Sequence, residues 1–127
     1  MRKNSILRMK SFAFAVRIVK LSRYLYRQQK ETVLTKQILR SGTSIGALVR
    51  ESENAASKKD FIYKLSLALK EADETHYWLE LLHASDSIDE KMFTSLSADC
   101  EELIKLLVSS IKTSKLNDTR IILHSTI

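Results

Sequence analysis

The 127-residue chain has no proline, two glycines (Gly42 and Gly46) and a single cysteine, Cys100. An all-β domain needs turn residues every ~8–12 positions, so it is excluded. Collagen-like, linker-rich and proline-rich disordered classes are excluded as well. One cysteine permits neither an internal disulfide nor a cysteine-based zinc cage. Long apolar runs are also missing, and nothing approaches the ~18–20 residues of a membrane span. Met1-Arg2-Lys3 ahead of residues 11–16 imitates a secretory signal, but the apolar run is short and is cut off by Arg17 and Lys20. What remains is 44% hydrophobic and 28% charged, the balance of a folded soluble domain. At this length the chain builds one domain with a real core. The expectation is an all-α, cytoplasmic protein.

Acid is scarce at one end. Residues 1–40 hold eleven Lys/Arg against one acid, Glu31, a net +10. Residues 41–127 hold ten basic and fourteen acidic residues, a net −4. A basic segment on a mildly acidic body suggests a polyanionic partner, although a solvated helix face has the same composition.

Apolar periodicity and capping signals predict four helices. The first spans about Asn4 to Gln28 and the second about Val33 to Ala56. Ser57, with Asp60 three residues on, caps a third that reaches Ala84. Ser87-Ile-Asp-Glu90 reads as a capping box for a fourth that reaches Ser114. Short connections make consecutive helices antiparallel, and matched lengths give an up-down-up-down four-helix bundle over residues 1–115. Residues 116–127 read as an extended or disordered tail, because Leu116-Asn-Asp-Thr119 breaks the pattern and Arg120-Ile-Ile-Leu123 favours extended structure.

Helix one carries two apolar stripes on nearly opposite faces. One is Met9, Phe12, Val16, Val19 and Tyr26; the other is Leu7, Phe14, Ile18, Leu21 and Leu25. One stripe enters the core and the other needs a second partner, which predicts a homo-oligomer. Spacing alone leaves the choice between them open. Phe14, Ile18, Leu21 and Leu25, with Trp78 of helix three, are the assigned subunit interface. Arg2, Lys10, Arg17, Lys20 and Arg27 fall on one edge of helix one and are the candidate nucleic-acid contacts, whether to RNA or DNA.

Other constellations carry less. Gly42 and Gly46 lie four apart in a helical pattern with no following lysine, so close helix packing is expected rather than a phosphate loop. Glu80-Leu-Leu-His83 is half of a di-metal carboxylate motif, but helix one offers no acid and the other histidines are only His76 and His124. No metal or other cofactor is expected. Cys100 reads as a small buried hydrophobe. Glu51, Glu53, Glu71, Asp73 and Glu74 read as structural or interface carboxylates, since acid/base work needs a cleft and a polar partner. Tyr77 and Trp78 read as packing residues, with base stacking the rival. No enzymatic activity is expected.

Three blocks carry a family resemblance: Ser44-Ile-Gly-Ala-Leu-Val-Arg-Glu51, Ser57-Lys-Lys-Asp-Phe61, and Ala68-Leu-Lys-Glu-Ala-Asp-Glu74 with Tyr77-Trp-Leu-Glu-Leu-Leu82. Together they resemble the bacterial four-helix-bundle proteins encoded in intervening sequences of large-subunit ribosomal RNA genes, formerly called S23 ribosomal proteins. The accessory variability determinant of diversity-generating retroelements is a related branch. The resemblance spans roughly residues 9–114. It implies a homopentamer with a central channel and a basic surface that binds nucleic acid without strong sequence preference. In the retroelement branch it implies a reverse transcriptase partner, which makes a protein-interaction adaptor the rival reading. It implies no catalysis. The family's Asn-Ile-Ala-Glu stands here as Leu48-Val49-Arg50-Glu51, so the amide is lost and Glu51 is kept.

Overall fold

The computed structural model describes residues 3–126, with side chains over 6–117. Four α-helices succeed one another: α1 (Lys3–Gln28), α2 (Val33–Glu53), α3 (Lys58–Ala84) and α4 (Glu90–Thr126). Each packs on its neighbours in the order α1–α2–α3–α4, and α4 closes back on α1. This is the antiparallel bundle that the short connections require.

The turns explain the boundaries. Ser57 Oγ accepts from the Asp60 N–H at 3.0 Å, as the capping signal predicts. The Asp60 carboxylate in turn accepts from the Ala56 N–H at 3.3 Å. α2 ends at Glu53, three residues short of the expected Ala56, because Asn54 and Ala55 fold into the turn. At the start of α4 the cap is not Ser87. Asp86 adopts a left-handed φ of 64° and the Ser87 N–H returns to the Leu82 carbonyl at 2.8 Å, so both residues close α3. Asp89 then caps α4 through its carboxylate on the Met92 N–H at 2.8 Å. Ile88, just before this cap, is buried in the core and fixes the entry angle of the chain.

The expected tail is a correction: α4 continues as helix to Thr126. Without glycine or proline after Gly46, nothing in residues 116–126 obliges a stop. At 1.5 Å per residue α4 is about 55 Å long and outruns α3 by about 15 Å.

The core settles the two stripes of α1. Leu7, Phe14, Ile18, Leu21 and Leu25 are 0–4% exposed and join Ile38, Ile45, Leu65, Leu79, Leu103 and Leu107 inside the bundle. Phe14, Ile18, Leu21 and Leu25 are therefore core residues, with no surface left for another subunit. The opposite stripe is outside: Met9, Phe12 and Tyr26 are more than half exposed and Val16 is 39% exposed. The glycines of α2 account for the choice. A Cβ on Gly42 would lie 2.8–2.9 Å from the γ carbons of Ile18, and one on Gly46 would lie 3.3 Å from the Ser11 carbonyl oxygen. Bare backbone at these two turns lets α1 sink its Ile18 face against α2. Cys100 is buried as expected, and its Sγ donates to the Ala72 carbonyl at 3.3 Å.

Candidate nucleic-acid interface

The predicted basic edge of α1 divides when α4 packs against it. Lys10 pairs with Glu102 at 3.1 Å. Arg17 pairs with Asp99 at 2.6 Å and donates to the Ser95 hydroxyl at 2.9 Å. These partners lie 92, 82 and 78 positions away in the chain. Lys20 and Arg27 are exposed and form no ion pair with any described residue. Arg2 lies outside the described residues.

Two cations that the sequence pattern did not single out, Arg23 and Lys30, are likewise exposed and without an ion pair among the described residues. At 100° per residue, Lys20, Arg23 and Arg27 share an arc of about 80° with Met9, Phe12 and Val16. The spacing 9, 12, 16, 20, 23, 27 is one outward stripe. It begins apolar and ends basic. Helical spacing carried this signal; pairing the cations by edge rather than by outward face concealed it.

The end of this stripe opens on the α1–α2 corner. Lys30 takes a left-handed φ of 53° and the Glu31 N–H closes onto the Leu25 carbonyl at 3.2 Å. The Glu31 carboxylate turns toward α2, accepting from the Leu34 N–H at 2.6 Å and the Thr35 N–H at 3.2 Å. The first fifty residues contain no other acid, and this capping bond turns the Glu31 carboxylate to the α2 amides. Tyr26, Arg27, Lys30 and Thr32 line a hollow of about 310 Å³ here. A second groove of about 410 Å³ runs along the α1–α4 seam, lined by Arg17, Lys20, Leu21, Tyr24, Met92 and Leu96.

Elsewhere the polar groups hold helices together. Arg40 of α2 donates to both Glu71 carboxylate oxygens, at 3.1 and 3.3 Å, and also reaches Glu74. The Trp78 indole N–H donates to Glu74 at 3.0 Å. That N–H, followed by the Arg40 guanidinium, holds the Glu74 carboxyl below the usual carboxylate range. Trp78 is thus half-buried against the core with its polar atom satisfied within the chain. His76 lies between Glu80 at 3.1 Å and Glu101 at 3.2 Å, one on each ring nitrogen, and bridges α3 to α4. His83 stacks on Phe93 with ring centroids 4.4 Å apart. Among the described residues no group of three His, Cys, Asp or Glu could hold a metal ion, and no helix is long and apolar enough to cross a membrane. Burial pushes the Cys100 thiol up to about 12, which keeps it protonated and inert at neutral pH.

Comparison with known proteins adds two findings. Residues 3–109 match the profile of a family described as the 23S rRNA-intervening sequence protein. A crystal structure from Bacteroides thetaiotaomicron, described as a protein of unknown function from the S23 ribosomal protein family, is similar to this chain. It is 54% identical, covers 87% of this chain and 99% of its own, and superposes with a TM-score of 0.86. No curated protein matches.

Proposed function

This chain belongs to the 23S rRNA-intervening sequence protein family, and from that premise we propose that it is a non-enzymatic, oligomeric helical scaffold that binds nucleic acid. The observation that carries the reading is the outward stripe of α1. Its second half presents Lys20, Arg23 and Arg27, continued by Lys30, with no ion-pair partner among the described residues. Four such cations on about three turns form a strip of positive potential for phosphates, with no base-reading geometry implied. Binding is therefore without strong sequence preference. Lys10 and Arg17, engaged by α4, contribute little.

The first half of the stripe supports self-association. Met9 and Phe12 are 57% and 56% exposed on the same face. An apolar helix face of this kind is more often an interface than bare surface. The charges suit a head-to-tail, ring-like arrangement. Residues 3–53 carry eleven basic and three acidic groups, whereas residues 58–126 carry nine basic and twelve acidic. A ring built this way would set the basic ends of α1 side by side. Light scattering on the wild type and on a Phe12→Glu, Val16→Glu variant reads the subunit number; a variant of unchanged size removes this interface.

The nucleic-acid reading is tested by anisotropy with labelled mixed-sequence RNA and DNA at about 50 and 200 mM salt. Affinity should fall steeply across that range, with each phosphate contact adding roughly 0.7–0.9 to the log–log slope. Replacing Lys20, Arg23 and Arg27 together by glutamine should weaken binding to every sequence alike. Unchanged affinity in the triple variant, or no binding at the lower salt, sinks the proposal.

A further inference from the structure

The basic face ends at a hollow that phosphate binding alone does not require. Tyr26, Arg27, Lys30 and Thr32 line it, with a volume of about 310 Å³, the lower end of the range for small-ligand sites. Tyr26 is 63% exposed and makes no ring contact or hydrogen bond among the described residues. Large apolar side chains at the start of the stripe are accounted for by self-association, but Tyr26 stands at its opposite, basic end. Lys30 holds a left-handed backbone at the rim, a conformation uncommon outside glycine. The nearby carboxylate of Glu31 is committed to the α2 amides. The result is one unpartnered aromatic ring that shares a hollow with two cations, with no acid among the lining residues.

We infer that the α1–α2 corner takes one unstacked nucleotide of a single strand, with the Tyr26 ring against the base and Arg27 and Lys30 on the adjoining phosphates. The inference rests on the nucleic-acid reading above and narrows its ligand to single-stranded RNA or DNA. A duplex keeps its bases stacked inside, where a ring standing on a helix surface cannot reach them, so it gains only the phosphate contacts. A single strand gains those and the stack. Base–aromatic stacking tolerates any sequence because every base has a π-face. The Thr32 hydroxyl adds one hydrogen-bonding group without imposing a choice among bases.

The test compares single-stranded and duplex probes, each in RNA and DNA form and each of mixed sequence. Tyr26→Ala should weaken single-strand binding by about 5- to 160-fold, the range for losing one base–aromatic stack. Duplex binding and the salt slope should not change. Tyr26→Phe should restore single-strand binding, since the ring and not the hydroxyl makes the stack. Because Tyr26 is exposed, both variants should keep the wild-type circular dichroism and thermal midpoint. Equal loss for single strand and duplex, or no loss for either, overturns the single-strand site, and the lysine and arginine variants then report on the basic face independently. A wild type that binds no probe overturns both. Preference for the RNA or the DNA single strand identifies the source of the ligand.

Discussion

Replacing Gly42 by alanine should destabilise the bundle, against the ordinary preference of helices for alanine. A helix-interior glycine gives up about 1 kcal/mol relative to alanine, so an unobstructed substitution would raise stability by that amount. Here the new Cβ would stand 2.8 Å from one Ile18 γ carbon and 2.9 Å from the other. Ile18 is fully buried, so it cannot swing into solvent. Overpacking of this kind costs about 1–3 kcal/mol. The net expectation is a loss of about 0–2 kcal/mol, read as a lower urea midpoint with an unchanged m-value. Removing the γ carbons should abolish the loss. Ile18→Ala alone should cost about 2–5 kcal/mol through the cavity it leaves. In that background the two γ-carbon clashes are gone and one tight contact remains, 3.2 Å to the β carbon at position 18, so Gly42→Ala should be neutral to stabilising by up to about 1 kcal/mol. The four proteins form a double-mutant cycle whose coupling energy isolates the contact. If Gly42→Ala raises stability by the same amount in both backgrounds, α1 does not lie against bare α2 backbone, and the assignment of the Ile18 stripe to the core is wrong.

Asp99→Asn with Glu102→Gln should release Arg17 and Lys10. Exposed pairs are worth at most about 1 kcal/mol, so melting should barely change while nucleic-acid affinity rises and the log–log salt slope steepens by about one to two units; an unaltered slope contradicts masking by α4. Ser57→Ala and Asp89→Ala should each cost about 1 kcal/mol in urea denaturation, and Ser87→Ala much less; a large Ser87 effect would return the cap to the position the sequence suggests. The Cys100 thiol should resist alkylation in the native state at pH 8 and react on unfolding. Its folded value, about 12 against an ordinary 9.0, means the unfolded chain loses this proton first as pH rises. The contribution is whole below about pH 9 and is lost progressively toward pH 12; native-state labelling at pH 8 would show the thiol to be accessible.

Most of the architecture was legible because it is local. Periodicity placed four helices, Ser57 and Asp60 marked the start of α3, and the paired glycines marked a close approach. Two local readings failed where neighbouring signals competed. Ser87 has the capping sequence, yet the left-handed turn at Asp86 draws it into closing α3. Residues 116–126 have an irregular composition, yet without a breaker the helix propagates through them.

The order of residues alone makes the chain helical, gives α1 two apolar faces and concentrates the positive charge at one end. Each is a consequence of residue type and spacing along a single element. Which apolar face is inside was decided only in three dimensions, by Ile18 meeting Gly42 and Ser11 meeting Gly46. The fate of the cations was decided there too. Lys10 and Arg17 look no different in the sequence from Lys20 and Arg27, but the acids that answer them come from α4, at the far end of the chain. Coulombic pairing depends on separation in space, and only the packing of α4 against α1 sets which charges remain for a partner.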